Sequence, residues 1–190
     1  MLVSFTGAQS TGKSTLLNMC MDRMLKQSND WVFVPEVTRL IKRTHGVSIN
    51  EQGDDDTQLL IMNQHLLNII NYKSDDNNNH LLDRCAVDGY VYSIYLHRHG
   101  RINDNTWNIV RYTYNHLLPV YDWVFYTHPE DIPIEDDGER SINLDFRNEI
   151  IDIYDNELPL TNFINNDVNW VELRGTPEQR LALMLECLEM

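Results

Sequence analysis

Apolar positions along the 190-residue chain fall into short runs and into longer stretches of helical spacing, and the two alternate. Leu2–Thr6 is a brief apolar run ending at Gly7 and reads as a buried opening strand. Ser14–Gln27 follows with Leu16, Leu17, Met19, Cys20, Met21, Met24 and Leu25 at helical spacing. Trp31–Val34 is a second strand, stopped by Pro35. Val37–Thr44 reads as a helix ended by Gly46. Asp54–Tyr72 is the longest predicted helix, and its acidic start, Asp54–Asp56, suits the positive end of a helix dipole. Ser74–Asn79 has no apolar residue to bring to a core and is expected to be a loop. His80–Asp83 is a short third strand. Val87–His97 is a helix ended by Gly100, and Thr106–Leu118 another, stopped by Pro119. Trp123–Thr127 is a fourth strand. Pro129–Ser141 is acidic, holds two prolines and Gly138, and is expected to be a long loop. Leu144–Leu158 is helical and Trp170–Leu173 is a fifth strand. Pro177–Leu188 closes the chain as a helix, with Thr176 as its N-cap and Pro177 at its first position. Strands alternating with helices predict an α/β fold: a parallel sheet with helices on both faces and right-handed crossovers. The length suits one domain over 1–190, and no repeat or linker divides it.

One stretch adds chemistry to this frame. Gly7, Ala8, Gln9, Ser10, Thr11, Gly12, Lys13 and Ser14 fit G-x-x-x-x-G-K-[ST] at every fixed position, after a predicted strand and before a predicted helix. Two glycines let the backbone turn sharply and bring its N–H groups onto phosphate oxygens. The helix starting near Lys13 aims its N-terminal amides at the same anion. Lys13 then supplies a point charge to the β- and γ-phosphates, Ser14 a hydroxyl ligand for Mg²⁺, and Thr15 a hydroxyl near the α-phosphate. The reading is a nucleoside triphosphate site, with ATP and Mg²⁺ as cofactors.

Composition limits the partners. A net charge of −14 argues against a surface that grips nucleic acid along its length, because that affinity rests on Lys and Arg. Eleven of the 15 basic residues are Arg, a bias that suits bidentate phosphate and carboxylate contacts and is compatible with phosphate handling. Cys20, Cys85 and Cys187 are odd in number and far apart, without the spacing of a zinc site, and read as reduced thiols. The opening apolar run is too short for a secretory h-region, and no run approaches the ~18 residues of a membrane span. The expected location is the cytoplasm, or the host cytoplasm for a phage protein.

Other polar clusters fall where such folds place their ligands, beyond the carboxyl ends of strands. Asp83, ending the third strand, either holds Mg²⁺ through water or acts as a base toward an acceptor hydroxyl. The alternative is an ion pair with Arg84 or a helix cap. Glu36 and Arg39 share one helix face and either line an acceptor pocket or form a surface pair. Arg140 and Arg147 flank the acidic loop. Either they fold over the triphosphate and stabilise the transferred phosphoryl group, or they pair with Asp136, Asp137, Glu139 or Asp145. His97, Arg98, His99 and Arg101 form a small basic patch that a helix C-terminus favours on dipole grounds alone. Tyr90, Tyr92 and Tyr95 are expected to pack in the core, although a base could stack on one.

Taken in order, the loop Gly7–Thr15, Pro35-Glu36-Val37-Thr38-Arg39, and Asp83-Arg84 followed by Asp88-Gly89-Tyr90 resemble the NadR-like P-loop kinases. That group includes the ribosylnicotinamide kinase domain and related AAA-type ATPase domains found in many phages. The stretches Asp137–Ser141 and Phe146–Ile150 resemble the family's lid, here about 129–147. Arg174–Arg180 resembles its last-strand loop near the nucleotide base, which makes Gly175 a cofactor contact. The Asp-Arg pair also resembles thymidylate and deoxynucleoside kinases, where a related motif faces the acceptor. The resemblance therefore implies Glu36, Arg39, Arg84 and Asp88 as acceptor-side residues, and Lys13, Asp83, Arg140 and Arg147 as catalytic ones. It implies a P-loop NTPase fold with a five-stranded parallel sheet and a lid loop.

The function expected is ATP- and Mg²⁺-dependent phosphoryl transfer to a nucleoside- or nucleotide-type acceptor. One alternative is a kinase of a hydroxymethyl pyrimidine inside phage DNA, which the net charge disfavours and the patch at His97–Arg101 favours. Another is a regulatory ATPase that signals by shape. A GTP switch usually carries N-K-x-D, which is missing from the sequence.

Overall fold

The computed structural model describes residues 1–25, 30–130 and 143–190. Its centre is a five-stranded sheet of β1 (Leu2–Thr6), β2 (Trp31–Val34), β3 (Asn79–Asp83), β4 (Trp123–Thr127) and β5 (Asn169–Leu173). The strand order is β2-β3-β1-β4-β5, and every neighbouring pair is parallel. All five residues of β1 are buried, as expected of a central strand covered on both faces.

Alternation along the strands divides the core in two. Val3, Phe5, Leu81, Phe125 and Leu173 meet Leu16, Leu17, Cys20 and Met24 of α1 (Lys13–Met24) and Met184 of α8 (Pro177–Cys187). Leu2, Leu82, Val124 and Tyr126 face the other side. There they join residues of α3 (Asp55–Lys73), α4 (Ala86–Arg98), α5 (Asp104–Leu117) and α6 (Leu144–Asp152). A third cluster of Val37, Ile41 and Ile61 fixes α2 (Val37–His45) to α3. The expected layers, and the parallel five-stranded sheet of a P-loop fold, are those found.

Boundaries differ where side chains or neighbouring strands set them. Asn103 accepts from the N–H groups of Asn105 and Thr106, so α5 begins before the expected Thr106. Asn79 joins β3 because its N–H donates to the Asp30 carbonyl. The long helix expected over Leu144–Leu158 ends its regular part at Asp152 and continues as a π-helical turn, Ile153–Glu157. That turn buries Ile153 and Tyr154. Three short elements had no periodic signal: the 3₁₀ turns Asn50–Gln52 and Leu118–Val120, and α7 (Thr161–Asn165). The lid expected over 129–147 is described only at its ends, and Arg140 lies outside the described residues. Among the described residues no helix is long and apolar enough to cross a membrane.

Candidate active site

Register brings the site together. Phe5 pairs with Asp83 and Thr6 with Tyr126, so the carboxyl ends of β1, β3 and β4 lie side by side. The strand order reverses at β1, and a crevice opens there. Gly7 leaves β1 at φ 137°, where a Cβ would lie 2.8 Å from Thr127 Oγ1 and 2.9 Å from its carbonyl oxygen. The loop continues through Ser10 at φ 55° and Gly12 at φ 83° into α1. Such positive φ values turn successive N–H groups toward one centre, the geometry of an anion nest.

The loop carbonyls, in contrast, are held by cations. Lys13 Nζ donates to the carbonyls of Gly7 and Ala8. Arg84 Nη1 donates to Gly7 O at 3.1 Å. Arg147 donates through Nε to Gln9 O and through Nη2 to Ser10 O. Arg180 Nη1 donates to Thr11 O at 2.9 Å. Every carbonyl from Gly7 to Thr11 thus has a cationic partner, which leaves the amides for an anion. Burial, followed by repulsion from Arg84, lowers the Lys13 pKa to about 7. Burial also lowers that of Arg147.

Arg84 organises the neighbouring pocket. It sits at φ 82°, is buried, and lies 5.6 Å from the Tyr92 ring centroid. Its Nε donates to Glu36 Oε1 at 2.9 Å and its Nη1 to Asp88 Oδ1 at 2.6 Å. Burial disfavours its charge, yet Glu36, Tyr92 and Asp88 outweigh this and hold its pKa well above the usual value. Glu36 also pairs with Arg39 at 2.9 Å. Burial pushes the Glu36 pKa up, but Arg84 and Arg39 more than offset it, and the net shift is downward. Asp88 caps α4 by accepting from the Cys85 N–H, and it also accepts from the hydroxyls of Thr6 and Tyr154. Glu36, Arg84, Asp88 and Tyr92 line one narrow pocket with His65 and Gln58.

Asp83 lies next door. Burial and then the Glu36 charge raise its pKa above the ordinary aspartate value. Its Oδ1 is buried without a hydrogen-bond partner. Asp83 and Ser14 line the same cleft, so a carboxylate and a hydroxyl border one space. Mg²⁺ keeps several waters and takes few protein ligands, and these two groups fit it. Among the described residues no cluster of three or more His, Cys, Asp or Glu could hold a metal by itself.

On the opposite side of the loop, Gly12, Gly175, Pro177 and Arg180 line a further cleft. Gly175, expected near the nucleotide base, is thereby placed beside the phosphate loop. Its N–H donates to Glu130, which also pairs with Arg180. The basic patch at the end of α4 is engaged with neighbours: His97 with Asp104, Arg98 with Glu157 and His99 with Glu149. Arg101 donates to the Gln52 carbonyl.

The sequence reading did not single out Arg180, His65 or Tyr154. Arg180 stood in the quoted Arg174–Arg180 stretch, which was the available signal. His65 and Tyr154 had none, since a polar residue on a helix declares no inward orientation.

A family model described as an AAA domain matches residues 2–180. No curated protein matches the chain. Among solved structures, a NadR protein in complex with NR aligns over 99% of this chain and 50% of its own, at TM-score 0.73 and 17% identity. A deoxyadenosine kinase from M. mycoides, with products dCMP and a flexible dCDP bound, aligns over 100% of this chain and 99% of its own. Its TM-score is 0.64 and its identity 11%. The chain thus spans half the length of that NadR chain. At such identities the likeness establishes the fold, and it agrees with the NadR-like P-loop resemblance of the motifs.

Proposed function

This chain belongs to the AAA domain family, and on that premise we propose that it transfers a phosphoryl group from ATP–Mg²⁺ to a nucleoside- or nucleotide-type acceptor. The observation that carries the reading is Arg84. One guanidinium touches the phosphate loop at Gly7 O and the acceptor-side carboxylates of Glu36 and Asp88. A loop for the donor and a pocket for an acceptor therefore meet across a single buried side chain. Phosphoryl transfer asks mainly for positioning and charge neutralisation.

The residues divide the work. Loop amides and Lys13 hold the triphosphate, and the Gly12–Gly175 cleft takes its base. Ser14 and Asp83 would hold Mg²⁺, which when bound supplies positive charge to the phosphate oxygens. Glu36, held ionised by two arginines, orients the acceptor hydroxyl, and this division separates its role from that of Asp83. Asp88 acts by locking Arg84, and Arg39 by locking Glu36. Arg147 holds the carbonyls of Gln9 and Ser10 and so keeps the loop amides on the phosphates, and charge over the phosphates is assigned to Arg140, outside the described residues. The chain acts as one domain, and the ion pairing of the His97–Arg101 patch favours a free acceptor over DNA.

The test is transfer of label from ATP–Mg²⁺ to nucleosides, nucleoside monophosphates, nicotinamide riboside and duplex DNA with and without hydroxymethyl pyrimidines, with Lys13→Ala as the blank. Label on one acceptor, lost in the blank, is the expected result. Full activity in Lys13→Ala, or no label on any acceptor while ATP still binds, would sink the assignment.

A further inference from the structure

The floor of the acceptor pocket holds one polar group that the proposed chemistry does not use. His65 projects from α3 into the pocket bordered by Gly89 and Tyr92 of α4. Its ring is 1% exposed, and its Nδ1 has no hydrogen-bond partner. A buried polar atom left unmatched costs free energy, and native proteins rarely keep one without a reason. Gly89 lets α4 pack closely on Met62 of α3, where a Cβ would lie 2.5 Å from Sδ, and it leaves the His65 ring at ordinary contact distance, 3.7 Å. Beside it, Ser93 Oγ donates to Gln58 Oε1 at 3.0 Å, which fixes that amide with its NH₂ end left to donate.

Taking this pocket as the acceptor site, we infer that His65 is a specificity-determining residue that hydrogen-bonds the polar edge of an uncharged nucleoside base. The charges around it are already matched. Arg84 is shared by Glu36 and Asp88, and Arg39 holds the other oxygen of Glu36. A cationic or anionic ring at this depth would lose water and find no free counter-charge. Burial pushes the imidazole pKa down to about 4, so near neutral pH the ring offers one N–H and one lone pair. Nδ1 meets one group of the base edge, as donor or acceptor according to the tautomer, and the Gln58 amide of the same pocket meets a second. Nicotinamide riboside, whose ring is cationic, is the poorer ligand on this reading.

The inference rests on the acceptor assignment, and binding measured apart from turnover separates the two. Calorimetry with adenosine, cytidine, thymidine and nicotinamide riboside would be run on the wild type, His65→Phe and His65→Gln. One uncharged nucleoside should bind best. His65→Phe should weaken it roughly 10- to 100-fold and leave ATP affinity unchanged, and His65→Gln should restore part of the loss. In the wild type, that nucleoside should shift the His65 ring nitrogens in ¹⁵N spectra, a readout that holds even if His65→Phe does not fold. Unmoved ring nitrogens at saturation, equal affinity in His65→Phe, or tightest binding of nicotinamide riboside would overturn the inference. Binding that depends on His65 without any transfer would keep it and remove the kinase reading. Transfer to a nucleoside indifferent to His65 would do the reverse.

Discussion

Replacing Arg84 with Met is the sharpest perturbation of this site. The guanidinium is buried and serves three acceptors: Glu36 Oε1, Asp88 Oδ1 and Gly7 O. Without it, the buried carboxylate of Asp88 keeps only neutral donors, and Glu36 keeps only Arg39. Breaking a buried pair from one side costs about 3–5 kcal/mol. For a domain of this size each kcal/mol moves Tm by roughly 2–4 °C, so Tm should fall by about 6–20 °C. The backbone supplies an internal control. Arg84 sits at φ 82°, a region that costs a side-chain-bearing residue about 1–2 kcal/mol and glycine little. Arg84→Gly should therefore be the more stable of the two variants by roughly 2–8 °C. Adding Glu36→Gln and Asp88→Asn to Arg84→Met should recover stability, because it removes the stranded charges. Calorimetric melting of the four proteins is the assay. A fall under about 3 °C for Arg84→Met, or an Arg84→Gly variant that melts below Arg84→Met, would refute the account.

Two further outcomes follow from the phosphate loop. With its pKa lowered to about 7, Lys13 is mostly neutral at pH 8, and a bound triphosphate favours its charged form. ATP binding at pH 8 should then take up about 0.9 proton, read by calorimetry in buffers of different ionisation enthalpy, fall toward lower pH, and vanish in Lys13→Ala. Uptake near zero throughout would mean that the ammonium is already charged in its nest. Gly7→Ala would place a methyl group 2.8–2.9 Å from Thr127 at φ 137°. It should cost about 1–3 kcal/mol from crowding alone and abolish ATP binding, and a variant that melts and binds like the wild type would show that β4 yields there.

What could be read from the sequence was what contiguous residues encode. β2 and β4 were expected at their observed limits, because Pro35 blocks one and both are dense in β-formers. The loop Gly7–Ser14 was legible because the backbone geometry and the charge it needs are written in eight consecutive residues. Capping was legible for the same reason at Thr176, whose hydroxyl accepts from the Gln179 N–H. Contacts across the fold were not. Arg180 reaches Thr11 over a separation of 169 residues, and no local pattern announces it. His65 sits on the longest helix among apolar neighbours, where an inward histidine and an outward one look alike. The π-helical turn that swings Tyr154 onto Thr6 and Asp88 leaves no trace in a periodicity of 3.6.

The arginine bias of the composition acquires a specific meaning in the fold. Eleven arginines against four lysines suited contacts to phosphates and carboxylates. Arg84 meets the carboxylates of Glu36 and Asp88, and Arg84, Arg147 and Arg180 all end on carbonyls of the phosphate loop. Each arrives from a different element: Arg84 from the end of β3, Arg147 from α6 and Arg180 from α8. A loop whose amides must converge on an anion has to turn its carbonyls outward, where they need donors. The planar guanidinium, with five donors and a permanent charge, meets that need while staying charged under burial. Lysine would do so poorly, as the depressed pKa of Lys13 in the same environment shows. Arginine here therefore holds the carbonyls outward, so that the loop amides turn toward the space an anion would take.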